Sequence, residues 1–574
     1  METNLKKKII KKRAAPKKAS KPKRKVSLLP SREKAAAGRR KVPSPPPSPE
    51  KGEGVKKEPI TEADKLASKQ RDISVSEFFL KNRHLLGFDN PKKALLTTIK
   101  EAVDNSLDAC DEAKILPEIL VEVKQLERDD RFIVIVEDNG PGVVREQIPS
   151  IFGKLLYGSK FHSMKQGRGQ QGIGISAAGM YGQLTTGVST KITSRIGPKK
   201  PAHYFEIQID TAKNKPTILK DEIVNWKKRQ GTRVQIELEA KYQKGPRSVE
   251  DYMRQTALAN PHATLIFKGP DGAKDEYKAA SRKLPISPKE IKPHPHGVEL
   301  GILMKMLKSS TSRKVSSFLA HDFARISTRT AVDICKQAGI DPLARPAAIA
   351  HNEADKLYRA MNATKIMNPP TNCLSPIGEP ALLAALKANV DADFYTALTR
   401  PPSVYRGNPF QIEVAIAYGG KMPVEELAQL LRFANRVPLL YQQSACATAK
   451  SVLQTAWKNY GISQSKGALP TGPLMIAIHM ASVWVPFTSE SKEAVASYPE
   501  ITHEIKLALQ ETGRRLDAFV RRGAREDEAR RKKDYIKSYL PHIGIGLREI
   551  LGFKESDQKK VLGLLTDILE KERA

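Results

Sequence analysis

Lys100-Glu101-Ala102-Val103-Asp104-Asn105-Ser106-Leu107-Asp108-Ala109, followed downstream by Glu137-Asp138-Asn139-Gly140-Pro141-Gly142, decides how this chain is read. On a helix, Glu101, Asn105 and Asp108 fall at i, i+4 and i+7 and form one polar stripe, while Leu96, Ile99, Val103, Leu107 and Cys110 fall on the opposite face. The spacing predicts a helix packed by its back into a core, holding a carboxylate and a carboxamide toward a ligand. Those two groups, one turn apart, suit a water-activating base beside a magnesium ligand. The two segments together read as half of a nucleotide site.

Outward from this helix, 76–86 reads as a short helix leading into it. Segments 119–126 and 132–137 read as strands joined by a polar turn at 127–131. A glycine-rich stretch fills 153–187, and strands are expected at 191–196, 203–209 and 232–238. Helices interleaved with antiparallel strands predict an α+β layered fold. From about 288 to 377 the pattern is mostly helical and basic. Strands return at 411–417 and 474–485 with helices between them. From 491 onward the chain is highly charged and helical, including 514–533, before a small apolar terminus. No internal repeat is present.

Bulk properties narrow the function classes. A chain of 574 residues is too long for one core, so three or four domains are expected. Apolar content of 40% supports globular folding, and a formal net charge of +34 points to a polyanion, either nucleic acid or an anionic membrane surface. There is no apolar run long enough for a transmembrane helix and no apolar signal core at the N-terminus. Cys110, Cys335, Cys373 and Cys446 are scattered without CxxC spacing, which argues against structural zinc and a disulfide framework and fits a reducing cytosol. Residues 1–58 hold 20 Lys or Arg against five Glu, with a cluster at Lys21-Pro22-Lys23-Arg24-Lys25 and a proline-serine run over 42–49. Such a segment cannot bury enough apolar surface to offset chain entropy and is expected to be disordered. It reads as a solubilising tail or a non-specific DNA-binding arm, the basic cluster serving nuclear targeting if the source is eukaryotic.

Gly167-Arg168-Gly169-Gln170-Gln171-Gly172 matches GxGxxG by spacing alone. A dinucleotide fold needs a strand immediately before it, yet 161–166 is polar and poor in strand formers. The catalytic motifs of a protein kinase are absent, and Gly158-Ser159-Lys160 is not the Gly-Lys-Ser of a P-loop. What remains is a glycine-rich segment leading into a helix start at Ile173-Gly174-Ile175. It is either a flexible loop or a lid whose N–H groups wrap phosphate oxygens.

The order of these motifs carries a resemblance. Glu-x-x-x-Asn on a helix, Asp-x-Gly-x-Gly at a strand end, a glycine lid, and Gly231-Thr232 opening a strand resemble the GHKL ATPases. That superfamily includes type II topoisomerases, MutL, the 90-kDa heat-shock chaperones and histidine kinases. Within it, 73–111 and 166–181 look like the strap, first motif and lid of the topoisomerase VI B subunits. Trp457-Lys458-Asn459-Tyr460 looks like that family's WKxY motif, and Val485-Pro486-Phe487-Thr488-Ser489-Glu490-Ser491-Lys492 like its switch-lysine loop. The resemblance covers about 70 to 550. It implies a disordered basic tail (1–65), a GHKL (Bergerat) α/β sandwich with its strap (66–287), a helix-two-turns-helix insert (288–378), an α/β transducer with a long C-terminal helix (379–540), and an end that binds an A subunit (541–574).

The same resemblance implies roles. Glu101 would be the general base and Asn105 the ligand of Mg2+, while Asp108 would either orient water or satisfy local hydrogen bonds. Asp138 would accept from the adenine amino group, Gly140 and Gly142 would allow close backbone approach, and Thr232 would bond adenine or its water. Lys160 and the run Gly169, Gln170, Gln171, Gly172, Ile173 and Gly174 would hold the triphosphate, with Lys492 reaching the γ-phosphate from another domain. Trp457 and Tyr460, flanking Lys458, read either as core residues or as an aromatic pair lying against DNA. Arg313, Lys314 and Arg325 of the insert are candidate phosphate contacts. The implied activity is that of the ATP-hydrolysing partner of the cleaving subunit in a type IIB DNA topoisomerase. It would dimerise on ATP, act on double-stranded DNA, and pair with a cleaving A subunit in an A2B2 assembly. No membrane partner is expected, and the location would be cytoplasmic at the nucleoid, or nuclear in a eukaryote. The rival is a GHKL chaperone or mismatch-repair-like clamp without strand passage, against which the WKxY-like turn and the basic helical insert argue.

Overall fold

The structure, a computed structural model, describes residues 73–571 other than 160–162, 170–171, 490 and 553, together with Glu62 and Leu66. The chain divides into two units between Arg71 and Asp72. The basic tail expected over 1–65 lies outside the described residues except for Glu62.

The second unit begins with α1 (Val75–Lys81), a 3-10 turn at Arg83–Leu86, and the long helix α2 (Pro91–Glu112). Two signals start α2: the Asn90 side chain accepts from the Lys93 N–H at 2.9 Å, and Pro91 occupies the first turn, where a missing N–H costs nothing. The predicted apolar face is buried throughout: Leu96, Ile99, Val103, Leu107 and Cys110 all lie in the interior. The strands β1 (Glu118–Gln125) and β2 (Arg131–Glu137) follow, then α3 (Ile148–Gly153), α4 (Gly174–Thr186), β3 (Thr190–Arg195), β4 (Ala202–Asp210), β5 (Lys215–Val224), β6 (Gly231–Glu239), α5 (Val249–Ala259), β7 (Thr264–Lys268) and β8 (Lys274–Tyr277).

These strands form one sheet in the order β5-β4-β3-β6-β2-β1-β7-β8, antiparallel except for the β1–β7 pair. Burial alternates residue by residue along β1, β3 and β6, as it must where helices cover one face of a sheet and the other is open. The covered face and α2, α4 and α5 share one core. The central pair β2–β6 brings Glu137 opposite Arg233, so the ends of both strands meet beneath α2.

A helical insert comes next: α6 (Leu300–Ser309), α7 (Val315–Asp322), α8 (Thr328–Ala338) and α9 (His351–Ala363) around their own core of Leu303, Phe318, Leu319, Ile334 and Leu357. The second layered domain then runs α10 (Glu379–Asn389), β9 (Phe394–Thr399), β10 (Ser403–Tyr405), β11 (Asn408–Tyr418), β12 (Gln429–Ala434), β13 (Val437–Pro438), α11 (Ala447–Gln454), β14 (Ser463–Gln464), β15 (Pro470–Thr471) and β16 (Leu474–Ser482). Apart from the small β14–β15 ribbon, its sheet has the order β10-β11-β16-β12-β13, with β9 also on β11. Every residue of β16 is buried, which explains a sequence that is apolar save for Ser482 and for His479, whose Nδ1 lies 2.7 Å from the Glu413 carboxylate.

The chain closes with α12 (Pro499–Leu551), 53 residues long, and α13 (Glu555–Lys571), which folds back along it after Gly552. Leu562 of α13 packs where Gly544 leaves room. Ile501, Ile505, Leu509 and Leu516 bury the first part of α12 against the sheet; beyond them its apolar residues Tyr535, Ile536, Tyr539 and Ile550 are exposed. Among the described residues no helix is long and apolar enough to cross a membrane.

Candidate active site

A cavity of about 570 Å³ opens between α2, the β2 and β6 strand ends, the glycine-rich segment and the second layered domain. Its floor is Asp138, carried by the apolar strand β2 and almost fully buried. Ser106 Oγ donates to Oδ2 at 2.9 Å, and the N–H groups of Gly140 and Thr232 donate to Oδ1 at 2.9 and 3.0 Å. Burial pushes the Asp138 carboxyl upward, and these three donors oppose it. Each carboxylate oxygen accepts two hydrogen bonds, so these contacts fill Oδ1 and leave one position on Oδ2. Thr232, which lines the cavity, is fixed in turn by Ser194 Oγ at 3.2 Å. Gly142 is set by the fold itself: its φ is +74°, and a Cβ there would collide with the Arg195 carbonyl.

Glu101 and Asn105 line the cavity on α2, as the stripe predicts. Glu101 lies against the first turn of α4, where a Cβ on Gly174 would overlap its Oε2. A carboxylate beside a helix N-terminus is electrostatically favourable. Asn105 is exposed, with its Oδ1 close to Gly169. Gly169, Gly172, Ile173 and Gly174 all line the same cavity. Lys160, Gln170 and Gln171 lie outside the described residues. Lys492, some 390 positions from Glu101 in sequence, lines the cavity too and shares a narrow recess with Glu101, Asn105 and Gly169.

Asp108, the third member of the stripe, turns away from the cavity. Its Oδ1 receives Arg168 Nη1 at 2.8 Å, and the same nitrogen lies 2.8 Å from Asp111. Of the two roles left open for it, the geometry shows the hydrogen-bonding one: it anchors the stem of the glycine segment. Burial would raise the Asp111 carboxyl, but Arg168 and His262 override it and hold it well below the usual carboxylate range. Asn260 accepts from Arg168 and donates to the Arg436 carbonyl at 3.2 Å, so the stem is wired to the second domain. Asn435 Nδ2 donates to the Gly167 carbonyl at 3.1 Å, and Gln166 exchanges two hydrogen bonds with Ser375.

Several residues escaped the sequence reading. Asp104 is buried beside Glu101 with no partner for its Oδ1; burial drives its pKa up to about 7 against the pull of Lys100. Segment 438–441 lines the cavity from the second domain, its backbone held by buried Arg432, whose Nη2 donates to Leu439 and Tyr441 carbonyls at 2.6 and 2.8 Å. An arginine inside the apolar run of β12 is the only sequence signal for that segment. Ser106, a small hydroxyl on the largely apolar side of α2, was the signal for a carboxylate partner.

The aromatic reading of the WKxY-like turn needs correction. Trp457 is fully buried and donates from Nε1 to the Val452 carbonyl at 2.9 Å. Its ring stands edge-on to Tyr460, 6.2 Å between centroids, and Tyr460 packs against Gly513 of α12. Trp457 is therefore a core residue with no surface to offer DNA. Lys458, on the same 3-10 turn, is exposed. Among the described residues no group of three or more His, Cys, Asp or Glu could hold a metal ion.

Residues 90–242 match the family described as histidine kinase-, DNA gyrase B-, and HSP90-like ATPase, and residues 369–532 match the transducer of the topoisomerase VI B subunits. The chain is 50% identical over 490 residues to the B subunit of type 2 DNA topoisomerase 6 from Methanococcoides burtonii, covering 85% of this chain and 79% of that protein. It is 46% identical over 509 residues to the protein of the same name from Archaeoglobus fulgidus, covering 88% and 84%. Among solved structures, the gyrase B protein of Myxococcus xanthus is matched over 77% of this chain and 95% of that chain, with 12% identity and a TM-score of 0.39. Sharing about half its residues with such proteins across most of both lengths, the chain belongs to the family of topoisomerase VI B subunits and joins a GHKL ATPase domain to that family's transducer.

Proposed function

We propose that the cavity between α2 and the transducer binds and hydrolyses ATP, and that the cycle times duplex passage by a dimer of this chain through a break made by a separate A subunit. The observation that carries the reading is the convergence on one cavity of Asp138, Glu101 and Lys492, from β2, α2 and the transducer. Asp138 Oδ2 keeps one acceptor position for the adenine amino group, and Gly142 and Thr232 shape the adenine slot. The N–H groups of Gly169, Gly172, Ile173 and Gly174, with Lys160, Gln170 and Gln171, would wrap the phosphates. Glu101 takes a proton from water while the water oxygen attacks the γ-phosphorus and the bond to the bridging oxygen breaks, giving ADP and phosphate.

Asn105, exposed on the cavity wall with its Oδ1 beside Gly169, offers one hard oxygen that could hold Mg2+ together with substrate phosphates. When bound, Mg2+ would neutralise phosphate charge. Lys492, rooted in the transducer, would contact the γ-phosphate and sense its loss as the loss of a charge-assisted bond, biasing the domain equilibrium.

We assign 66–287 to the ATPase domain with its strap, 288–378 to a helix-two-turns-helix domain, 379–540 to the transducer and 541–574 to the end that binds the A subunit in an A2B2 assembly. Lys458, with Arg313 and Lys314 of the insert, is exposed and suited to DNA phosphates; Tyr460 contributes by holding the turn. The assembly would work at the nucleoid, or in the nucleus of a eukaryote. Glu101→Ala is the direct test. It should abolish turnover while dimerisation on a non-hydrolysable ATP analogue survives in sedimentation; undiminished turnover would rule out the assigned base. A relaxation assay with a candidate A subunit, with and without ATP, tests strand passage.

A further inference from the structure

The residue after Lys492 is tied to the ATPase domain. Glu493 is buried, and its Oε1 lies 2.6 Å from Nζ of Lys93, with side-chain exposures of 8% and 14%. Lys93 stands in the first turn of α2, pairs also with Asp89 at 3.1 Å, and lies over the Tyr441 ring at 5.3 Å from its centroid. One ammonium thus gathers both transducer segments that line the cavity. Lys492 itself has φ +54°, a left-handed backbone that a lysine rarely adopts. Such a residue persists where its surroundings over-determine it. Here the restraints are the Lys492 N–H to the Ser489 carbonyl at 3.1 Å, the Thr488 N–H to the Ala494 carbonyl at 2.9 Å, the Phe487–Val495 bridge, and the ion pair at Glu493.

We propose that the Lys93–Glu493 ion pair is a latch that positions Lys492 in the nucleotide cavity, making both its members positioning residues for γ-phosphate sensing. The proposal rests on Lys492 being the phosphate sensor. Its physical basis is register. Lys93, Glu101 and Asn105 share one rigid helix, so a transducer loop seated on Lys93 is held at a fixed offset from the base, roughly 12 Å along the axis at 1.5 Å per residue. Without the pair, Lys492 is aimed by contacts within the transducer, such as the hydrogen bond from the Ala447 N–H to the Val495 carbonyl at 2.8 Å, and small misplacements of a catalytic cation are costly in rate. Lys93 also lines the cavity, so the rival is that it contacts the nucleotide directly.

The test uses the full chain. ATP turnover, and affinity for a non-hydrolysable ATP analogue by calorimetry, are measured for Glu493→Gln, Lys93→Gln, their double variant and Lys492→Ala. The latch predicts that each single Gln variant lowers kcat about tenfold. It also predicts analogue affinity within about twofold of the parent, and a double variant no slower than either single one. Turnover of Glu493→Gln within about twofold of the parent would overturn the latch, as would additive losses in the double variant. A loss of analogue affinity in Lys93→Gln alone would favour the direct nucleotide contact and also overturn it. The underlying reading fails separately: unchanged turnover in Lys492→Ala removes the sensor, whereas a slow Lys492→Ala beside a normal Glu493→Gln removes only the latch.

Discussion

Asp104 shows at the level of one residue how a site sequence carries more than its motif. The stripe logic selects Glu101, Asn105 and Asp108, and passes over the acid between them because it points into the core. There it has no partner for Oδ1, and burial drives its pKa up to about 7. Since the folded value lies above the unfolded one, its neutral form favours folding. That stabilisation is full below about pH 4 and is lost as pH rises through about 7, a difference of ~4 kcal/mol at most. Asp104→Asn removes the ionisation and should raise stability more at pH 8 than at pH 5. Urea midpoints at the two pH values measure the difference, and an equal gain at both would mean that Asp104 does not titrate in this window. Gly174 is the complementary case. Its place at a helix start was legible in the sequence, but what requires a glycine there is a neighbour: the Glu101 carboxylate occupies the space a side chain would need.

At the scale of elements, legibility followed periodicity. Helix α2 was readable because its apolar residues recur at helical spacing, β2 because its apolar run is continuous, and β16 because its run is apolar save for His479 and the final Ser482. Strand β5 was not, since Lys215-Pro216-Thr217-Ile218-Leu219-Lys220-Asp221-Glu222 is an exposed edge with no buried face to impose alternation. The transducer's share of the cavity was legible only at Lys492. Segment 438–441 reaches the site through tertiary folding, so nothing local in its sequence marks it. The Trp457–Tyr460 turn misled for a related reason: aromatic residues beside a lysine read equally as core or as surface, and burial decided differently for neighbours. Two substitutions separate these roles. Trp457→Ala should cost about 3–5 kcal/mol in urea unfolding through loss of a large buried ring. Lys458→Ala should change stability by no more than about 0.5 kcal/mol, yet lower DNA affinity and the slope of log K against log salt by about 0.9. Unaltered DNA binding by Lys458→Ala would leave this turn as scaffold alone.

Across the whole molecule, the ATPase and transducer domains are packed rather than merely linked. Leu258 and Ala259 at the end of α5 share a core with Leu382, Phe433 and Met475, and the buried chain Asp108–Arg168–Asn260–Arg436 runs alongside it. A nucleotide-dependent change at the glycine segment therefore meets two rigid connections to the transducer sheet, and α12 extends from that sheet toward the α13 hairpin. The basic N-terminal segment, if it is a DNA-binding arm and not a solubilising tail, would be a separate source of DNA affinity. Residues 1–58 carry about +15 of the +34 formal charges, outside the domain that holds the cavity. Binding through such a segment is dominated by counterion release, so its contribution should fall steeply with salt and be indifferent to sequence. Deleting residues 1–60 should flatten the salt dependence of duplex affinity and weaken binding most at low ionic strength. ATP turnover without DNA should stay unchanged, because none of the described cavity residues is removed. Fluorescence anisotropy across a salt series, run beside a turnover assay, separates the two effects: an unaltered slope would locate the DNA-binding charge on the folded domains, and a fall in basal turnover would mean that the tail acts on the nucleotide site.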